Sequence, residues 1–176
     1  MNIIIDYIGI YSPIIMMLVS GYKIYNKKTF FTYFYHGIIF TTILNILLKI
    51  LFKEPRPNSN AKNIELALKY GEFVNPLDLG MPSGHMQNSF FVLSYIFLVT
   101  RSYYLFIFNM ILTIISMYQR FESNSHTLFQ LFVGSLIGLT TGIFIYYFAE
   151  LMINKNNKYI SNDRDDKSII PLNIVN

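Results

Sequence analysis

Gly80-Met81-Pro82-Ser83-Gly84-His85-Met86-Gln87-Asn88-Ser89-Phe90-Phe91-Val92-Leu93-Ser94-Tyr95-Ile96-Phe97-Leu98-Val99-Thr100 starts as a polar turn and ends as an apolar rod. Gly71, Pro76 and Gly80 punctuate the return of the chain to the membrane. Ser83 is a natural helix N-cap, and Gly84 lets backbone approach an anion closely. A helix beginning at Gly84 presents free N–H groups and the positive end of its dipole to a phosphate. His85, in the first turn, is placed to donate a proton to a departing oxygen. The same four residues, Pro82 to His85, also describe a simple capped helix start with an interfacial histidine.

Working outward, the apolar rod has companions. A bilayer core is crossed by roughly 20 apolar residues. Ile3 to Val19, Phe30 to Phe52, Gly84 to Thr100, Tyr103 to Tyr118 and Thr127 to Ile153 read as five membrane helices. The first carries Asp6 and Pro13; it lacks the positive start and the Ala-x-Ala site of a cleaved signal peptide, so it is expected to stay as a helix. The intervening stretch from Lys53 to Met81 is polar. Within it, Asn60 to Lys69 alternates Ile64, Leu66, Ala67 and Leu68 with charges, which suits a short interfacial helix. The expected fold class is all-α, a polytopic membrane bundle over residues 1–153. A polar tail, residues 154–176, is expected to lack fixed structure.

Composition narrows the function. Of 176 residues, 53% are hydrophobic and 14% charged, too apolar for an ordinary soluble domain. The absence of cysteine excludes disulfides and thiolate metal sites. Three histidines, far apart and outside any paired metal spacing, argue against zinc. The net charge of +4 is scattered, with no basic run suited to nucleic acid.

Two further polar clusters sit at span ends. Lys49 is followed by Arg56-Pro57, and Arg120 by His126 and Gln130. Charged residues beside a bilayer are costly and usually functional, although Lys49 alone could snorkel to lipid headgroups. A phosphoryl group in transfer needs cations around its oxygens. Lys49, Arg56 and Arg120 can supply them, the arginines through two donors each. His126 and Gln130 lie one helical turn apart. An imidazole attacks through one nitrogen when the other N–H is held, and the Gln130 carbonyl can hold it. The residues between Arg120 and His126, including Ser123, Asn124 and Ser125, read as a flexible loop. His36, without companions, reads as an interfacial residue.

These clusters closely resemble the type 2 phosphatidic acid phosphatase superfamily: Lys-x6-Arg-Pro at Lys49 to Pro57, Pro-Ser-Gly-His at Pro82 to His85, and Arg-x5-His-x3-Asp at Arg120 to Gln130. The resemblance covers about residues 45–145. It implies a metal-independent, cofactor-free phosphohydrolase acting on a membrane lipid phosphate. His126 would be the nucleophile, forming a phosphohistidine, and His85 the proton donor. Lys49, Arg56, Ser83, Gly84 and Arg120 would hold the phosphate. Gln119 stands where the pattern often has Ser, and Gln130 where most members have Asp. The dolichyldiphosphatase branch is similar in having Gln there, as are glucose-6-phosphatases. Gly80-Met81-Pro82-Ser83-Gly84-His85-Met86-Gln87 and Lys53-Glu54-Pro55-Arg56-Pro57 also look like that branch. The resemblance thus favours a polyprenyl diphosphate over phosphatidate. A non-catalytic lipid-binding protein of the same fold and, more weakly, a transporter or channel are the other classes.

Outside the motifs, Lys23, Lys27, Lys28, Arg101, Lys155, Lys158, Arg164 and Lys167 fall on one side of the five spans, against Lys53, Lys62 and Lys69 on the other. Positive loops stay cytosolic. The three clusters are therefore expected on the lumenal or extracellular side, and the C-terminal tail in the cytosol.

Overall fold

The computed structural model describes residues 3–58 and 61–157. Six α-helices follow in order: α1 (Ile3–Ile24), α2 (Lys28–Phe52), α3 (Ala61–Lys69), α4 (Gly84–Thr100), α5 (Tyr103–Glu122) and α6 (Leu128–Asn157). A single 3-10 turn, Pro76–Asp78, precedes α4, and no strand occurs among the described residues. Each expected span is a helix, but several run past their last apolar residue. α1 reaches Ile24 instead of Val19, and α5 reaches Glu122 instead of Tyr118. Extending an existing helix gains a hydrogen bond for each residue fixed, so polar residues at a span end readily continue it. By the same extension α6 takes in the first four residues assigned to the tail, ending at Asn157; residues 158–176 lie outside the described residues.

Four helices, α1, α2, α5 and α6, are long and apolar enough to cross a membrane. Their outward faces expose large apolar side chains, among them Ile39, Leu47, Ile107, Ile111, Phe132 and Leu136. A water-facing surface of that kind would be unstable, whereas lipid accepts it. The chain is an all-α integral membrane bundle. α4 differs from the other four: its 17 residues reach about 26 Å at 1.5 Å per residue, short of the hydrocarbon thickness. It packs against α1, α2, α5 and α6, so most of its side chains meet protein instead of lipid.

That central position allows α4 to carry polar groups. Thr41, Asn45 and Lys49 repeat every four residues along one face of α2 and are all buried. Thr41 Oγ1 donates to Asn88 Oδ1 at 2.9 Å, and Asn45 Nδ2 to Gln87 Oε1 at 2.8 Å. Gln87 Nε2 in turn donates to the Thr41 carbonyl. The buried amides of Asn45 and Gln87 thus have partners, as low-dielectric surroundings require. At the other end of the bundle, Phe34, Phe91 and Tyr95 stack with ring centroids 5.6 to 6.0 Å apart. The Tyr95 hydroxyl donates to the Phe30 carbonyl there.

Gly134, Gly138 and Gly142 form a stripe along α6 against α4. A Cβ on Gly138 would collide with the Gln87 backbone, and one on Gly134 would lie 2.5 Å from the Ser83 carbonyl oxygen. Small residues at this spacing let two membrane helices approach closely. Gly138→Leu is expected to force α4 and α6 apart, an overpacking cost of about 1–3 kcal/mol or more. Thermal unfolding in detergent should show a lower Tm, and an unchanged Tm would refute the close contact.

Candidate functional site

The polar ends of the helices are tied together by short backbone straps. α2 stops at Lys53, whose φ of 53° turns the chain and whose N–H closes onto the Lys49 carbonyl. Pro55 then bridges to Leu79, and the Gly80 N–H donates to the Glu54 carbonyl at 2.7 Å. Further on, the Asn58 N–H donates to the Asn124 carbonyl at 2.9 Å. Loop 53–58 is therefore held against both the turn before α4 and the turn before α6. Lys49 is buried, and its ammonium donates to the Leu79 carbonyl. Half-buried Arg56 follows between its two prolines. Burial works against its charge, while the nearby Asp78 carboxylate supports it.

Ser83 occupies the N-cap position of α4 with extended φ and ψ, but its side chain makes no cap. This corrects the capping role expected for it. The backbone is held instead by the Ser83 N–H donating to the Gln130 carbonyl at 3.1 Å. Its Oγ is left buried and without a hydrogen-bond partner among the described residues. A buried hydroxyl without a partner costs stability, and this one is able to donate to an oxygen brought beside it. Gly84 follows it against Asn45, where a Cβ would sit 3.1 Å from Oδ1.

Arg120 lies in the last turn of α5, which runs past the expected span end at Tyr118. Residues 123–126 are tied back: the Ser125 and His126 N–H groups donate to the Arg120 carbonyl, and the Ser123 and Ser125 hydroxyls pair at 2.8 Å. Arg120 Nη2 lies 2.8 Å from His85 Nε2, and the Ile10 carbonyl lies 3.2 Å from the same nitrogen. One nitrogen cannot serve both at once. Neutral Nε2 accepts from Arg120; protonated Nε2 donates to the Ile10 carbonyl. The ring therefore has a partner in either state, a property suited to passing a proton.

His126 is buried in the turn before α6, with Nδ1 3.2 Å from Gln130 Oε1. Burial first, then the charges of Arg56 and Lys49, push its pKa down to about 3, with Arg120 adding to the effect and the Gln130 bond opposing it. The three cations named in the sequence thus converge on this ring. The free imidazole is neutral at any ordinary pH and keeps a lone pair for attack. An NMR titration should show no protonation of His126 between pH 8 and 5. Arg56→Gln removes a repelling charge, so it should move the titration upward; a downward move would contradict the geometry. The unfolded ring takes up a proton near pH 6.5. Stability supplied by the neutral ring is therefore present above that value and lost as pH falls toward 3.

The sequence matches the PAP2 superfamily over residues 30–152. The chain belongs to the PAP2 superfamily. No curated protein and no solved structure matches it. Members of the PAP2 superfamily are phosphatases, which supports a general phosphatase activity on a lipid substrate for this membrane bundle.

In this PAP2 chain all eight candidate site residues lie at one end of the bundle, and His36 lies outside it, its Nδ1 2.8 Å from the Thr32 carbonyl on an exposed face. Three contributors were not singled out from the sequence. Asn45 donates to the Pro82 carbonyl at 3.2 Å and steadies the turn before α4; its four-residue spacing from Thr41 and Lys49 was the available signal. Thr127 forms a capping box with Gln130, each backbone N–H donating to the other's side-chain oxygen. The Thr-x-x-Gln pattern could have found that. Glu54 is the third; the sequence showed it only as part of the Lys53–Pro57 stretch, with no role of its own.

Proposed function

We propose that this chain hydrolyses a lipid phosphate or diphosphate through a phosphohistidine on His126, without a metal ion. The supporting observation is the gathering of Lys49, Arg56 and Arg120 around a neutral, buried imidazole, beside the unpartnered Ser83 hydroxyl. The Nε2 lone pair of His126 attacks phosphorus while the bond to the leaving oxygen breaks, and that oxygen takes a proton from His85. Water then attacks the phosphohistidine, giving its proton to His85 and releasing phosphate and neutral His126. Lys49, Arg56, Arg120, Ser83 and the Gly84 amide hold the phosphoryl oxygens as charge shifts among them.

A lipid substrate is favoured by the cavity next to His85. Its volume is about 320 Å³, and Ile10, Tyr11, Ile14 and Met17 of α1 give it an apolar wall facing Gly84 and His85. A hydrocarbon chain could lie there with its phosphate at the histidines. Within that class, the Gly80–Gln87 and Glu54–Pro57 stretches and Gln130 favour a polyprenyl diphosphate of the dolichyl kind; phosphatidate is the second reading. Competing the two lipids in chelator-treated detergent solution tests the choice. Preferential phosphate release from phosphatidate would overturn the polyprenyl assignment, and activity only with added metal would overturn the mechanism. The charge bias of the loops favours the lumenal or extracellular face for the site. A reporter on the C-terminal tail should read cytosolic; a reading outside the cytosol would reverse the orientation.

A further inference from the structure

Gln130 carries an amide, and an amide has two ends of nearly equal shape. Only its oxygen end can accept the Nδ1–H of His126 and leave Nε2 as the lone-pair nitrogen. With the nitrogen end toward the ring, Nδ1 would have to accept, Nε2 would carry the hydrogen, and the ring could not attack. Packing does not choose between the two orientations. Gly80 covers the amide, and a Cβ there would lie 2.5 Å from Oε1 and 2.6 Å from Nε2. The hydrogen-bond partners choose.

On the far side of the amide stand two acceptors. Gln130 Nε2 donates to Glu54 Oε1 at 2.6 Å and to the Pro55 carbonyl at 3.1 Å. On the near side, Oε1 accepts from the Thr127 N–H at 3.2 Å as well as facing His126 Nδ1. Turning the amide over would set its oxygen against a carboxylate and a carbonyl, and its nitrogen against a backbone N–H. The bond to Glu54 is short and charge-assisted, the strong kind. Glu54 is itself fixed by its place in the strap, where its carbonyl accepts from the Gly80 N–H.

We propose that Glu54 is a positioning residue for His126: its carboxylate orients the Gln130 amide, and through it fixes the Nδ1–H tautomer that leaves Nε2 free to attack. The proposal rests on His126 being the nucleophile. It also supplies a reason why a neutral Gln serves in this position, because the carboxylate stands one residue further out, across 76 positions of sequence.

The test is a series at position 54 that varies only what is offered to the amide. Glu54→Gln still offers an acceptor and should keep kcat within about threefold. Glu54→Leu offers nothing and should lower kcat by about 10–100-fold with KM little changed, the range for lost outer-shell support. Glu54→Lys offers only donors, favours the inverted amide, and should cost more, toward the roughly 10⁴-fold seen when a catalytic imidazole is held in the wrong tautomer. Nitrogen-15 spectra of histidine-labelled protein read the tautomer without reference to turnover. Wild type and Glu54→Gln should show His126 as Nδ1–H, and Glu54→Lys should shift it toward Nε2–H. Wild-type His126 found as Nε2–H, or Leu and Lys variants that keep both kcat and tautomer, would overturn the role of Glu54. Tautomer shifts as expected in a protein whose phosphate release survives His126→Ala would instead leave Glu54 orienting the ring and remove the nucleophile reading.

Discussion

Replacing His126 with alanine is expected to lower kcat by about 10⁴–10⁶-fold, the scale on which removal of a covalent nucleophile acts. The structure offers no substitute. Among the described residues the only other imidazole at the site, His85, is engaged with Arg120 and the Ile10 carbonyl, and its nearest covalent role would need a second histidine to protonate the leaving group. The measurement is phosphate release in the presence of chelator, alongside the acid and base stability of any label left on the protein after a brief pulse of labelled substrate. Wild type should carry a base-stable, acid-labile label, as a phosphoramidate does, and the alanine variant none. Turnover within about tenfold of wild type would remove His126 from the nucleophile role. His126 is held by one side-chain bond in a turn whose backbone is secured by other groups, so the fold should survive the change.

Arg120→Ala is expected to have the second-largest effect, a fall in kcat/KM of about 10³-fold. Two functions are lost together. One is a guanidinium that can bind phosphoryl oxygens through two donors; its Nε is buried without a partner among the described residues. The other is the donor that meets His85 Nε2 at 2.8 Å and sets the state to which that ring returns after giving up its proton. Arg120→Lys separates them. A lysine restores charge but not the planar fork, so the variant should recover only part of the loss. Full recovery with lysine would show that charge alone matters, and a loss below about tenfold for alanine would place Arg120 outside the phosphate site.

Much of the candidate site was legible as types and spacings, because the relevant features are local. Lys49, Arg56, His85, Arg120 and His126 stood out as polar residues at the ends of apolar runs. Gln130 was paired with His126 by helical spacing alone, and their atoms lie 3.2 Å apart. What misled was the assumption that hydropathy marks helix ends. The expected span ended at Tyr118, where the apolar run stops, yet α5 continues to Glu122 and takes in Arg120. Ser83 was read as a cap because its residue type caps helices, yet its hydroxyl takes no backbone partner. Such choices are made by neighbours: a hydroxyl follows the best partner in three dimensions.

By itself, the order of residues determined that this chain would be a bundle of membrane helices with its candidate site residues in three polar clusters. Both follow from hydrophobic length and from motif spacing, which act over one helical span. Only the packed structure decided how the clusters face one another. The glycine stripe of α6 brings Ser83 to Gln130, and the straps of loop 53–58 bring Glu54 to the same amide. Which end of that amide meets the histidine depends on groups dozens of residues away, and no periodicity along the chain records where helix rotation and close packing will put them.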